Sequence, residues 1–222
     1  MKNSLTYTKS NSRAVLFVII LNLFFILPSQ VEAADIVVKS TDDVLNGSST
    51  RCILRDAIDA ANTDQSRGSC PAGSGQDTIS FDLGQSSQPR TIQLIAQLPK
   101  IYRDLIIRGP GADKLIIDGG GFNRIFHITA VPVVISGLKL QNGGGHGPQT
   151  DTHGGAIAIF GGNVELHKMS FERNVSASGG GAIYLHSGIG FKGSLRIDNC
   201  NFDGNHARIN GWMNTGGGAI MA

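Results

Sequence analysis

The sequence is poor in aromatic rings and in charge: 6% of its residues are Phe, Trp or Tyr, a single one is Trp, and 16% are charged. No cluster of Lys or Arg occurs, so nothing suits a phosphate backbone as a main partner, and no nucleic acid is expected. The formal charge of +2 belongs to the first residues. Without residues 1–33 the chain loses Lys2, Lys9, Arg13 and Glu32 and becomes neutral. Six histidines, at positions 127, 146, 153, 167, 186 and 206, lack metal-ligand spacing with Cys or acidic residues. No metal or cofactor is therefore expected, and His146 and His153 read as polar residues of a Gly-rich loop. Between the extended segments no spacer has a helical period, which argues against an alternating α/β fold.

What the chain has in quantity is glycine, 30 of 222 residues, and short apolar runs. Its first residues have the layout of a cleavable secretory signal. Lys2, Lys9 and Arg13 precede the uncharged apolar run from Ala14 to Leu27, then Pro28 and the small-residue site Val31-Glu32-Ala33. Cleavage is expected after Ala33. The run is short for a membrane span, which needs about 20 residues. Export makes the three cysteines oxidisable. Cys52 and Cys70 flank a polar loop and are expected to pair, the alternative being two buried thiols; Cys200 is left over.

Residues 34–76 read as an opening segment. Asp35 to Ser40 suits an edge strand, Thr41 to Thr50 a turn ending in candidate helix caps, and about Arg51 to Asn62 an amphipathic helix. On that helix Leu54, Ala57, Ile58 and Ala61 share a face, and Arg55, Asp56 and Asp59 fall on the other. From residue 77 the pattern turns extended. Thr78–Phe81, Thr91–Ile95, Leu105–Arg108, Leu115–Asp118, Arg124–Ile128 and Val133–Ser136 are short strands punctuated by Gly109-Pro110-Gly111 and Gly119-Gly120-Gly121.

Short strands with glycine turns fit a sandwich, a barrel or a solenoid. A repeat decides between them. Gly154-Gly155-Ala156-Ile157 recurs as Gly180-Gly181-Ala182-Ile183 and Gly217-Gly218-Ala219-Ile220; between the copies lie Phe171-Glu172-Arg173-Asn174 and Phe202-Asp203-Gly204-Asn205. In a sandwich successive strands meet different neighbours, whereas in a parallel solenoid equivalent residues stack about 4.8 Å apart. Ile and Phe then form inward ladders, Gly fits the corners, and Asn174 and Asn205 suit bends where an amide bonds to backbone. The helix is placed to cover the first coil's edge, and a chain that stops inside its third phrase reads as a piece of a longer one.

Two segments carry a family resemblance. Cys52-Ile53-Leu54-Arg55-Asp56-Ala57-Ile58, with Ala60-Ala61-Asn62 and Asp77-Thr78-Ile79 after it, resembles the Cys-Ser-Leu-Arg-Glu-Ala-Ile signature that opens a class of exported bacterial β-helix proteins. It departs at Ile53 and Asp56. The Gly-Gly-Ala-Ile and Phe-x-x-Asn phrases are similar to the repeats of the polymorphic outer-membrane protein family, whose passengers are surface-exposed β-helices linked to adhesion. The resemblance implies an all-β, right-handed parallel β-helix of pectate-lyase-like form with an N-terminal capping α-helix. Its domains are a signal at 1–33, a cap at 34–76 and coils over 77–222. It also implies an adhesin-like, non-enzymatic scaffold at the cell surface or outside the cell, with host or environmental surface molecules or glycans as partners and outer-membrane association through a region beyond this sequence.

The same fold carries pectate lyases and polygalacturonases, so a carbohydrate-active enzyme is the alternative. Asn62-Thr63-Asp64, Gly145-His146-Gly147 and Arg208-Ile209-Asn210 loosely resemble polygalacturonase stations, making Asp64, His146 and Arg208 its candidate residues. The Asp-Asp station is missing and Asn210 replaces Lys, and no strand-borne pair of carboxylates stands out for inverting hydrolysis. Asp113, Lys114 and Asp118 could serve a Ca²⁺-dependent lyase, but a solvated turn accounts for them more simply.

Overall fold

The structure, a computed structural model, describes residues 32–47, 49–145, 152–186, 192–208 and 218–222. The targeting segment expected over 1–33 therefore lies, up to Val31, outside the described residues. The first turn of chain holds β1 (Asp35–Val38) and the helix α1 (Leu54–Thr63); the second holds β2 (Asp77–Phe81) and β3 (Arg90–Gln93). The third carries β4 (Leu105–Arg108), β5 (Leu115–Asp118) and β6 (Phe126–Thr129). The fourth carries β7 (Val133–Ser136), β8 (Lys139–Gln141), β9 (Gly144–Gly145) and β10 (Ile157–Phe160). The fifth consists of β11 (Gly162–His167), β12 (Ser170–Glu172), β13 (Val175–Ser176) and β14 (Ile183–His186). The last described turn consists of β15 (Gly193–Asp198), β16 (Asn201–Asp203), β17 (His206–Ala207) and β18 (Ile220–Met221).

Every strand pairs with its counterpart one turn away, and the ladders are parallel. The first sheet runs β1-β2-β4-β7-β11-β15, the second β3-β5-β8-β12-β16, the third β6-β10-β14-β18, and a short fourth β9-β13-β17. This is an all-β parallel solenoid. The register explains the sequence pattern. Ile36, Ile79, Ile107, Ile135, Leu166 and Ile197 are successive partners on the first sheet, and Ile92, Ile117, Leu140, Phe171 and Phe202 on the second. Fully burying each such side chain contributes roughly 1.5–3 kcal/mol, and Phe171 stacks on Phe202 with ring centroids 4.8 Å apart.

The two glycines of the repeat phrase serve different needs. Gly154 and Gly180 take the left-handed backbone, at φ 63° and 61°. Gly155 and Gly181 do not, but a Cβ on either would collide with the backbone of the neighbouring turn, at Gly181 O and Gly218 O respectively. Ala156 and Ala182 follow at the corner, fully buried, before Ile157, Ile183 and Ile220 stack inward. Gly217 lies outside the described residues.

The opening segment departs from expectation at several points. The helix begins at Leu54, its N-cap is the extended Ile53, and no Ser or Thr side chain caps it. Arg55 and Asp56, on the face opposite the apolar one, are nonetheless 8% and 1% exposed, and of the three charged residues there Asp59 alone is partly open. The cause is tertiary cover on both sides. Arg55 meets Asp43 through two bonds of 2.7 and 2.8 Å and also donates to the carbonyls of Ala96 and Gln97. Asn62 donates to Lys100 O and accepts from Tyr102 N, occupying backbone groups on the open side of the second turn. Cys52 and Cys70, both buried, are joined at an S–S distance of 2.02 Å, and Cys200 is free. The strand expected over Thr91–Ile95 ends at Gln93, and that over Arg124–Ile128 begins at Phe126. Arg124 instead turns its guanidinium onto the carbonyls of Gly154 and His153, tying the third turn to the corner of the fourth.

Candidate functional site

Alternation along each strand sends one residue in and the next out, so the outward positions of stacked strands form strips along the solenoid. On the second sheet the strip reads Gln93, Asp118, Gln141, Glu172 and Asp203, and it is polar throughout. Within it Asp118, 8% exposed, accepts from Gln141 Nε2 at 2.8 Å, Asn142 Nδ2 at 2.9 Å and Gly120 N at 2.8 Å. Burial alone would raise the Asp118 pKa, but hydrogen bonds from Gln141, Gly120, Asn142 and Gln93 outweigh it and hold the group below the ordinary carboxylate value. The expectation of a solvated turn therefore fails for Asp118. Its lone pairs are engaged by amide donors, which suits a fixed anion rather than a proton acceptor or a cation ligand.

One turn further on, Lys139 Nζ lies 2.6 Å from Glu172 Oε1, and Arg173 reaches over Gln141 and Asn142. The hydrogen bond from Lys139 is the main reason the Glu172 pKa is lowered, against partial burial. The strip itself thus mixes amides and anions, and Lys139 and Arg173 beside it supply the cations.

The third sheet bears a different strip. His127 stacks on Phe160 with centroids 5.0 Å apart, His153 on Tyr184 at 4.2 Å, and His186 lies 5.5 Å from Phe160. Tyr184 Oη is 3.0 Å from His186 Nδ1. His153, read from the sequence as a polar loop residue, is thus part of a ring ladder. His127 on Phe160 and His153 on Tyr184 are stacked, whereas His186 is tilted against Phe160 and Phe160 meets Tyr184 edge-on, so the rings pack on one another in mixed geometry.

Of the residues singled out for an enzyme, the two that are described, Asp64 and Arg208, lie in different turns of the stack. Asp64 is the left-handed C-cap of α1 in the first turn, 3.8 Å from Arg103. Arg208 follows β17 in the last turn, where its amide donates to Ser176 O. His146 lies outside the described residues. Asp113 and Lys114 border an open depression with Arg90 and the loop 82–89, away from Asp118's amide network. Among the described residues no three His, Cys, Asp or Glu side chains converge as metal ligands would.

The repeat residues do come together. Asn174, fully buried, accepts from Gly143 N at 2.8 Å and donates to Leu140 O at 3.0 Å and Asn205 Oδ1 at 2.9 Å; Asn205 in turn donates to Phe171 O. The preceding Arg173 and Gly204 both adopt left-handed backbone, φ 52° and 60°, and bend the chain so that the amide enters the stack. A family model for the repeat of the Chlamydia polymorphic membrane protein matches residues 168–186, the stretch from β12 through Asn174 and the Gly180-Gly181 corner to β14. The repeat in this chain is of that type. No curated protein and no solved structure matches the chain significantly.

Proposed function

We propose that the chain is an exported, right-handed parallel β-helix of pectate-lyase-like form that serves as an adhesin-like, non-enzymatic scaffold at the outer membrane or outside the cell. The observation that carries this reading is the matched segment 168–186: it forms three of the four strands of one turn of a parallel stack, and its outward side chains build strips rather than a reaction centre. The likeness of Cys52–Ile58 to the exported β-helix signature and the signal-like residues 1–33 add to it. The cap is residues 34–76, the coils are 77–222, and the binding face is the polar strip around Asp118, Gln141 and Glu172. Surface molecules or glycans of a host or environment are its partners.

The test has two parts. Intact cells producing the chain are treated with a protease, and chain purified from them is applied to immobilised host-surface proteins and glycans. Loss of the chain from intact cells and retention on at least one class of surface molecule support the reading. Cleavage of pectin or another acidic glycan, abolished by a single Asp substitution, overturns it in favour of a polysaccharide lyase or hydrolase.

A further inference from the structure

One inward position breaks the apolar pattern of the first sheet. Leu105, Val133, Val164 and Leu195 are successive partners, and the residue in register before them is Asp77. Asp77 is 0% exposed. Its Oδ1 accepts from Ser74 N at 2.7 Å and from Ala34 N at 3.1 Å, while Oδ2 has no hydrogen-bond partner. Gly73 walls that oxygen, since a Cβ there would collide with it. None of the described ion pairs includes Asp77. A buried carboxylate with an idle oxygen and no cation is an unfavourable arrangement, and a counter-charge is what it lacks.

The group already touching it is the backbone nitrogen of Ala34, the residue expected to become the first of the processed chain. Ala34 is held in place by the strand itself, because Thr78 N donates to its carbonyl at 2.8 Å. Glu32 and Ala33 just before it are exposed.

We propose that Asp77 is a built-in receptor for the chain's own processed N-terminus, an α-ammonium seated on a buried carboxylate. The proposal rests on the export reading. In the cleavage step a signal-removing protease adds water across the Ala33–Ala34 amide. The C–N bond breaks, Ala33 keeps the carboxylate on the departing peptide, and the Ala34 nitrogen takes up protons to become –NH₃⁺. One N–H donor becomes three, and a positive charge appears where the uncharged amide stood. One hydrogen retains Oδ1, and a second is available to Oδ2 on the same carboxyl group. Processing thereby completes the first turn of the stack: α1, the β1–β2 pair and the mature terminus become one unit, and an unprocessed chain leaves Asp77 without its counter-charge.

The test uses the full chain, exported by a bacterial host and recovered. Intact mass fixes the first residue, and an amine-acylating reagent at neutral pH measures the reactivity of the α-amine, folded and denatured. The expected result is a chain beginning at Ala34 whose amine reacts at least tenfold more slowly when folded, with Asp77→Asn restoring the denatured rate. Should that variant not fold, a chain with one Gly inserted after Ala33 and processed to begin Gly–Ala34 keeps Asp77 but displaces the amine. It is expected to react at the denatured rate and to unfold several degrees lower. A chain cut after Ala33 whose amine reacts equally fast folded and denatured, or an inserted Gly that changes neither rate nor melting, overturns this proposal alone. Recovery of the chain only from inside the host cells, still carrying residues 1–33, overturns the export reading and this proposal together, and an exported chain that keeps residues 1–33 overturns this proposal alone.

Discussion

Replacing Asn174 with Ala is the sharpest probe of the stack. The substitution removes three hydrogen bonds: the acceptor for Gly143 N, and the donors to Leu140 O and Asn205 Oδ1. Gly143 N then has no acceptor in a buried corner, which costs about 1–3 kcal/mol, and each of the other two lost bonds adds about 0.5–1.5 kcal/mol. The total comes to about 4 kcal/mol, which for a domain of 150–250 residues lowers Tm by roughly 8–16 °C. Asn174→Asp should cost more, because an anionic oxygen would then face Leu140 O and Asn205 Oδ1. Asn205→Ala should cost less, because Asn205 is only partly buried. Thermal and urea unfolding followed by far-UV circular dichroism rank the three. Amide exchange at Gly143 supplies a local readout, with acceleration on the order of 10²-fold in Asn174→Ala. A Tm within 1 °C of the parent, or a larger loss for Asn205→Ala than for Asn174→Ala, would refute the reasoning.

Other substitutions probe other parts of the molecule. Arg55→Ala leaves Asp43 and the carbonyls of Ala96 and Gln97 without their buried partner, so urea unfolding should show a loss of about 3–5 kcal/mol, the penalty for orphaning one half of a buried pair. Gly155→Ala should prevent closure of the corner against Gly181 and Val175 and yield little soluble folded chain, whereas an Ala at the open Gly84, strained but uncrowded, should still fold. Asp118 has a folded pKa below its ordinary 3.8, so its contribution is present above that value and lost as pH falls through the lowered pKa. Asp118→Asn should therefore melt lower at pH 7 yet lose less stability on acidification from pH 3.8 downward, as read from Tm against pH.

How much of this was legible in the sequence depends on the reach of each interaction. Inward ladders show as β-branched and aromatic runs because burial acts on every second residue, and the Gly-Gly-Ala-Ile and Phe-x-x-Asn phrases show because stacked turns impose the same corner on Gly155 and Gly181 and the same bend on Asn174 and Asn205. The burial of Arg55 was not legible. Its partner Asp43 sits in a polar stretch without period, and its other acceptors, Ala96 and Gln97, lie more than 40 residues downstream. Local composition misled at Asp118, where three following glycines signal a turn while the amides that enclose the carboxylate come from the next turn of chain. The ring ladder of His127, His153, Phe160, Tyr184 and His186 had no signal either, since its members stack from unlike positions in loops and strands.

The same division bears on where recognition resides. Inward slots accept interchangeable apolar residues, as Ile36, Ile79, Ile107, Ile135, Leu166 and Ile197 illustrate, and a change of volume there costs packing. Outward slots on the second sheet differ in every turn, from Gln93 through Asp118, Gln141 and Glu172 to Asp203. Substitutions at surface positions of this kind usually lie within about 0.5 kcal/mol of neutral, so the strip can vary without unfolding the stack, Asp118 with its four donors excepted. A surface assembled from individually replaceable side chains on a rigid ladder is what the proposed binding role asks of the second sheet, with Asp118 as its one fixed point.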